Sequence, residues 1–306
     1  MKKTNCQLTQ ENEVSKGATG IVYRINNSQV IKAYPESSDI SKIKEEFYKL
    51  KIFYDLGIRC PKPYEITSID NKLGIIMEYV KGETLTKHIA DKPSDAQKYI
   101  KKMVEMMKTI HSIDAGTLQI QSIKKKYRNA IDKCKEYYSE EEIKKLYYLL
   151  ESIPDEKTLL HGDYHTGNII LNENNELVVI DFQELGYGHP IFDIMSQGAI
   201  IPVTIENNKQ LAEAYHNTNV TILYKIWKNY IYECYNPINQ EEFNAFSKDS
   251  ILYSRLRDAI TKANAEVIPE GYLQLCADKT KSILLPEIER LTKNDIILKK
   301  TIGAKD

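Results

Sequence analysis

The chain has 306 residues, with 42 Lys and Arg against 43 Asp and Glu, for a formal net charge of −1. That length allows two lobes and a substantial core, and the charge balance argues against nucleic acid as a dominant partner. Five cysteines (Cys6, Cys60, Cys134, Cys234, Cys276) lie scattered with no C-x-x-C pair, so reduced thiols are expected, with neither a disulfide framework nor a zinc site.

Met1-Lys2-Lys3 leads directly into polar residues, so a cytoplasmic protein without an export or membrane segment is expected. The first patterned stretch runs from Ser15 to Ile25. Gly17 and Gly20, separated by small residues, open into an alternating strand, which predicts a hairpin able to close over phosphates. The run has fewer glycines than G-x-G-x-x-G, and the chain holds no G-x-x-x-x-G-K-[ST]; by itself the signal equally suits an ordinary turn between strands. After a turn at Asn26-Asn27-Ser28, the segment from Gln29 to Tyr34 reads as a strand carrying one lysine, Lys32, among apolar neighbours. Lys32 is assigned to the α- and β-phosphates of a nucleotide, against the plainer reading of an exposed lysine on a half-solvated strand. What favours the assignment is the helix predicted from Asp39 to Leu56, with Phe47, Leu50, Ile52, Phe53 and Leu56 as its buried stripe. Glu45 and Glu46 lie near its start, and Glu46 is the preferred ion-pair partner because Leu50, four residues on, shares its face. A solvated helix face is the alternative for either glutamate.

Leu73 to Val80 reads as an apolar strand passing through Lys81-Gly82 into Glu83-Thr84-Leu85. Backbone groups of Glu78, Tyr79 and Val80 are candidates to bind adenine at a hinge; an internal strand followed by a turn is the alternative. This reading places a nucleotide-binding lobe of antiparallel strands and one helix at residues 1–80. A mainly helical catalytic and acceptor-binding lobe follows at 81–306. Its first helix is predicted from Asp95 to Ile113, burying Ile100, Met103, Val104, Met107 and Ile110. Helical segments at Ile120 to Tyr138 and Glu140 to Glu151 come next, the second opened by the capping-box pattern Ser139-x-x-Glu142.

The chemistry concentrates in Leu159-Leu160-His161-Gly162-Asp163-Tyr164-His165-Thr166-Gly167-Asn168 and, downstream, Val179-Ile180-Asp181-Phe182. Asp163 and Asn168 are five apart, the separation of Asp and Asn in the kinase H-R-D-x-x-x-x-N loop, and Asp181 ends an apolar run where a D-F-G aspartate would stand. An ATP γ-phosphoryl group carries charge that must be neutralised, and Mg²⁺ needs rigid oxygen ligands. Asp181 offers a carboxylate and Asn168 an amide carbonyl, which hold metal without a second full negative charge. Asp163 would orient an attacking hydroxyl and take its proton. The bland reading is a turn at His161-Gly162-Asp163 with Asn168 as an Asx residue before a strand. It is disfavoured because the upstream segments supply matching partners.

The Gly17–Gly20 loop, Val30-Ile31-Lys32, Glu46 to Leu50, Met77-Glu78-Tyr79, H-G-D-x-H-x-x-N at 161–168 and Val179-Ile180-Asp181-Phe182 resemble the aminoglycoside phosphotransferase and choline kinase-like family. The resemblance spans nearly the first two-thirds of the chain. It implies an α+β, protein-kinase-like bilobal fold, with an antiparallel-sheet N-lobe and a mainly helical C-lobe. The implied activity is ATP-dependent phosphorylation of hydroxyls on small molecules such as aminoglycosides, choline, sugars or homoserine. By this resemblance Asp163 matches the catalytic base, Asn168 and Asp181 the Mg²⁺ ligands, and Lys32 the phosphate-binding lysine. His161 would brace the loop, His165 would support it or approach the acceptor, and Asp193 would anchor it by hydrogen bonds. Two departures from protein kinases stand out: Gln183 replaces the D-F-G glycine, and no A-P-E segment leaves room for an activation loop.

From about Asn208 the chain reads as helical, with Tyr215, Leu223, Trp227, Tyr230 and Ile231 spaced for packing. A helix from Ser250 to Ala263 carries Arg255 and Arg257, either a basic patch for an acidic substrate or, preferably, a surface ion-pair network. The stretch from Val267 to Leu284 is interrupted at Pro269-Glu270-Gly271. The expected function is a small-molecule O-kinase holding Mg-ATP between its lobes, with a hydroxyl compound as partner and no nucleic acid, membrane or protein partner implied. A catalytically weak, ATP-binding regulatory protein of the same fold is the alternative; intact Lys32, Asp163, Asn168 and Asp181 weigh against it. An aminoglycoside acceptor would require several pocket carboxylates and choline an aromatic cage. The chain's 21 tyrosines and many acids do not decide between them.

Overall fold

The computed structural model describes residues 8–17, 19–261 and 271–301. Cys6, Ala18 of the glycine loop, and the 262–270 stretch with Ala263, Val267 and Pro269-Glu270 lie outside the described residues. The chain divides into two compact units, Met1–Thr84 with Asn168–Gln183, and Leu85–Gly167 with Glu184–Asp306.

The first unit is built on an antiparallel sheet of β1 (Glu13–Lys16), β2 (Ile21–Arg24), β3 (Gln29–Ala33), β4 (Pro63–Ile69) and β5 (Lys72–Glu78), in the order β1-β2-β3-β5-β4. Period-2 alternation sends Ile31 and Ala33 of β3 into a cluster with Tyr23, Ile69 and Ile76, and Lys32 to the other face. Helix α1 (Ile40–Asp55) covers that other face, capped by Asp39, whose side chain accepts from the Ser41 N–H. Its buried residues include Ile43, Glu46, Leu50 and Phe53, a helical stripe that carries Glu46 into the interior. Phe47 is only half-buried and Leu56 is exposed, contrary to the expected stripe. The reason is that Leu56 falls at the C-cap, where Gly57 turns the chain with φ 75°. Strand β6 (Gly82–Thr84) ends this part of the unit.

The second unit begins with α2 (Leu85–Asp91), α3 (Ala96–His111), α4 (Ile123–Lys133), α5 (Glu140–Ser152) and a short strand, β7 (Leu159–Leu160). All five residues expected to line the first long helix are buried on α3, and the Ser139/Glu142 capping box opens α5. Helix α4 is shorter than the sequence suggests, since Ser122 caps it and Cys134 ends it. The chain returns to the first unit for β8 (Ile169–Asn172) and β9 (Leu177–Val179), which pair as a three-stranded antiparallel sheet ordered β6-β8-β9. It then re-enters the second unit with β10 (Gly186–Tyr187), antiparallel to β7. The helices α6 (Ile191–Gly198), α7 (Thr204–Asn207), α8 (Lys209–His216), α9 (Val220–Tyr235) and α10 (Gln240–Thr261) follow, then α11 (Tyr272–Lys279), α12 (Ile288–Lys293) and α13 (Ile296–Lys300).

Leu223, Trp227, Tyr230 and Ile231 pack inward from α9, but Tyr215 on α8 is 64% exposed and does not join them. Arg255 and Arg257 correct the sequence reading more sharply: on α10 Arg255 is fully buried and paired with Glu206, Arg257 is partly buried and paired with Asp163, and neither forms a surface network. Among the described residues no helix is long and apolar enough to cross a membrane.

Burial pushes His216 down from 6.5 to about 4, with its Nε2 facing the Ile200 carbonyl at 3.1 Å. The unfolded chain then binds the extra proton between those two values, so His216 stabilises the fold above about pH 6.5 and its contribution falls away toward pH 4, by about 3 kcal/mol. A His216→Gln variant should therefore show a shallower loss of melting temperature on acidification than the parent. Parallel curves would remove His216 from the acid response.

Candidate active site

Lys32 is 7% exposed, which rules out the half-solvated reading, and its Nζ lies 2.7 Å from Glu46 Oε1 and 3.7 Å from Asp181 Oδ1. Burial pulls the ammonium pKa down, but the carboxylates of Asp181 and Glu46 outweigh it and hold it above the usual lysine value. The second Glu46 oxygen accepts from the Gln183 side-chain amide at 2.7 Å. The same amide nitrogen lies 2.7 Å from Thr19 Oγ1 in the glycine loop, and the Gln183 carbonyl accepts from Lys49 Nζ at 2.6 Å. Gln183 thus ties the glycine loop, α1 and the segment after Asp181 together. In the sequence alone Gln183 stands out only as the residue in place of the D-F-G glycine.

Asp181 follows β9 with φ 65°, a left-handed backbone that Asp and Asn adopt more readily than other residues with a side chain. The Asn168 carbonyl accepts the Ile180 N–H at 2.9 Å, one step beyond the Ile169–Val179 pair of the β8–β9 register. Asn168 and Asp181 therefore sit at the same end of one hairpin. Phe182 turns away from them and packs on Phe53 of α1, ring centroids 4.9 Å apart.

A carboxylate and an amide oxygen suit a hard cation such as Mg²⁺, which keeps several waters and takes phosphate oxygens besides a few protein ligands. Among the described residues no group of three or more His, Cys, Asp or Glu forms a closed metal cage. The Asp181 carboxylate and the Asn168 amide are the kind of oxygen donors Mg²⁺ takes alongside phosphate oxygens.

In the glycine loop the Gly17 N–H donates to the Gly20 carbonyl at 2.9 Å. A Cβ at Gly20 would stand 2.6 Å from the Ala33 carbonyl, so β3 requires glycine there; at Gly17 the nearest atom is 3.6 Å away. At the proposed hinge two of the three backbone donors are already engaged: Glu78 N–H bonds the Lys62 carbonyl and Tyr79 N–H the Ser28 carbonyl, at 2.9 and 2.8 Å. Glu78, Tyr79 and Val80 line a cavity of about 320 Å³ together with Arg59, Cys60 and Lys81.

The second unit supplies Asp163, on the loop after β7. Gly162 takes φ 81°, and a Cβ there would lie 2.1 Å from the Glu184 carbonyl. Asp193, fully buried on α6, accepts the N–H groups of Gly162 and His161 at 2.7 and 3.1 Å and faces His111 Nε2 at 2.9 Å. Gln197 accepts the Thr166 N–H at 2.9 Å. His161 Nδ1 accepts the Asp163 N–H at 3.3 Å, and His165 Nδ1 accepts the Gly167 N–H at 3.1 Å. The loop thus has its backbone donors answered from α6 and from its own histidines, which gives a fixed mount for Asp163. Gly162→Ala should cost at least about 1 kcal/mol from the backbone alone, with the Glu184 clash added, and be read as a lowered urea midpoint. An unchanged midpoint would show that the loop can re-form.

Asp163 itself is half-buried. Its Oδ1 accepts from Arg257 Nη2 at 2.6 Å, Arg257 Nη1 donates to the Gly162 carbonyl at 2.6 Å, and Oδ2 lies 3.6 Å from His165 Nε2. Burial alone would raise the Asp163 carboxyl, but the neighbouring His165 ring and the Arg257 guanidinium outweigh it and hold the pKa well below the usual carboxylate range. Asp163 is therefore a carboxylate at neutral pH, able to accept a hydrogen bond from a hydroxyl and a proton once that hydroxyl becomes strongly acidic. The sequence singles out Arg257 but does not show its pairing with Asp163, because the two stand 94 residues apart and the helix carries many charges.

The aminoglycoside phosphotransferase APH(2'')-Ib, in its ADP-bound structure, is similar in fold, with TM-score 0.56 and 17% identity over 90% of this chain and 93% of that one. The streptomycin-ATP ternary complex of APH(2'')-IIa matches with TM-score 0.55 and 16% identity, over 90% of this chain and 92% of that one. Choline kinase LicA from Streptococcus pneumoniae matches with TM-score 0.51 and 15% identity, again over 90% and 92%. At such identities these likenesses establish the kinase-like fold. No curated protein matches the sequence. The family profile described as APH, phosphotransferase enzyme family, matches residues 11–222, more than half of the chain. With the antiparallel N-terminal sheet and the mainly helical remainder, that match places the protein in the APH phosphotransferase family, as a small-molecule phosphotransferase.

Proposed function

We propose that the protein moves the γ-phosphoryl group of ATP, with Mg²⁺, to a hydroxyl of a small molecule, an aminoglycoside or another amino alcohol or sugar. The observation that carries this reading is the buried Lys32–Glu46 ion pair with Asp181 Oδ1 3.7 Å from the same ammonium. A lysine held charged in that setting is suited to phosphate oxygens, and Asp181 with Asn168 supplies oxygen ligands beside it. In this assignment residues 1–80 bind nucleotide, with Gly17, Gly20, Lys32 and Glu46 on the phosphate side and Glu78, Tyr79 and Val80 at the base. Residues 81–306 carry catalysis and acceptor binding. Asn168 and Asp181 hold the metal, whose part is to neutralise phosphate charge. Asp163 orients the acceptor hydroxyl. As the acceptor oxygen bonds to the γ-phosphorus and the bond to ADP breaks, Asp163 takes the hydroxyl proton. Dependence on ATP fits action in the cytoplasm.

The test is ADP release from purified protein with Mg-ATP, across aminoglycosides, choline, ethanolamine, homoserine and simple sugars. Release stimulated by one class of acceptor supports the reading and names the class. ATP binding without stimulation by any acceptor would favour a regulatory ATP-binding protein instead.

A further inference from the structure

The Asp163 carboxylate is gripped by a guanidinium whose other arm grips the loop that carries it. Arg257 Nη2 reaches Oδ1 while Nη1 reaches the Gly162 carbonyl, both at 2.6 Å, and Nη1 also lies 3.4 Å from Tyr127 Oη on α4. The arginine side chain is 11% exposed, so water competes weakly for these bonds. The planar fork fixes two things at once: the peptide ahead of Asp163 and the rotation of its carboxylate. A lysine offers one ammonium point and can hold only one of them firmly.

We propose, resting on the phosphotransferase reading, that Arg257 is a positioning residue for phosphoryl transfer. It holds Asp163 by Oδ1 and the loop by the Gly162 carbonyl, so that the aim of the carboxylate at the acceptor hydroxyl is set from α10. Proton acceptance then falls to Oδ2, on the His165 side of the carboxylate. The charged and titratable groups around the pair are His161 and His165 from the same loop, Tyr127 from α4 and Glu184 from the segment leading to β10. Each of them lies in the same unit as Arg257 and Asp163. Asp193 serves a different purpose: it fixes the His161 and Gly162 amides and leaves the Asp163 side chain to Arg257.

The experiment compares Arg257→Gln, Arg257→Lys, Asp163→Asn and the double variant Asp163→Asn/Arg257→Gln with the parent. Acceptor-dependent ADP release, ATP affinity and melting temperature are measured for each full-length chain. Misaiming a catalytic group by about 1 Å costs about 10²-fold. Arg257→Gln should therefore lose about 10²-fold in kcat, with KM and Kd for ATP within about twofold, and Arg257→Lys should recover part of the loss. In the Asp163→Asn background the second substitution should change residual turnover by no more than about twofold, because the arginine acts through that carboxylate. If Arg257→Gln does not fold, the same kcat-against-KM comparison on Arg257→Lys decides: a selective fall in kcat supports positioning, and an unchanged kcat overturns it. A loss of turnover that tracks melting temperature in every variant, or an equal penalty with and without Asp163, overturns the proposal in favour of a structural staple. A parent active in an Asp163-dependent way upholds the phosphotransferase reading whatever Arg257 does, whereas an inactive parent sinks both.

Discussion

Asp163→Asn is expected to lower acceptor-dependent phosphoryl transfer by about 10²–10⁴-fold, the usual weight of a positioned general base, while ATP affinity stays within about twofold. The amide is nearly the size of the carboxylate and can still meet Arg257 through its oxygen, so loop geometry should survive. What disappears is a site for the acceptor proton and a negative charge to orient the hydroxyl. The held-down pKa of Asp163 adds a pH signature. A carboxyl whose folded pKa is depressed stays ionised as pH falls through the ordinary carboxylate range, so no acid limb from Asp163 should appear in kcat between about pH 3.5 and 7. Turnover that survives the substitution would move the proton acceptor to another group. A limb near pH 5 absent from the Asn variant would show that His165 and Arg257 do not hold the carboxylate as the geometry indicates.

Lys32→Met should be the second large effect, and it reads on stability as well as on chemistry. Removing one member of a buried ion pair typically costs about 3–5 kcal/mol, because the partner charge stays behind in a poor dielectric. Here Glu46 would be left with Asp181 nearby and the neutral Gln183 amide in place of a cation. Lys32→Met is therefore expected to fall near the lower end of that range in urea unfolding, and to weaken ATP binding at the same time. Adding Glu46→Gln should restore part of the stability and none of the ATP affinity, since it removes the stranded charge without replacing the cation. A double variant less stable than Lys32→Met alone would contradict this account of the pair.

The local half of this arrangement was legible in the sequence. Lys32 and Glu46 lie 14 residues apart on adjacent elements, and the apolar period of α1 was enough to turn Glu46 inward. The α3 stripe and the Ser139 capping box were equally plain, because each is written in the spacing of neighbouring residues. Leu56 failed because a pattern of period 3.6 does not announce where a helix stops. Tyr215 failed because aromatic spacing carries no sign for which face is covered. Arg257 and Gln183 were illegible for a different reason: their meaning lies in partners 94 and 137 residues away. An arginine on a charged helix looks like any solvated one until the loop it clamps is in place.

The discontinuous make-up of the first unit bears on how the protein can be made. Residues up to Thr84 emerge first from the ribosome, yet the β6-β8-β9 sheet, Asp181 and Gln183 arrive only with the 168–183 segment. A nascent chain that has just passed Thr84 therefore carries Lys32 and Glu46 without their third and fourth partners, and β6 without β8. Closing that loop costs little extra entropy for its length, but it must await synthesis of the whole intervening helical stretch. A truncation after Thr84 would consequently yield an unfinished first unit, and a domain exchange between relatives must carry the β8–β9 hairpin along with the N-terminal strands.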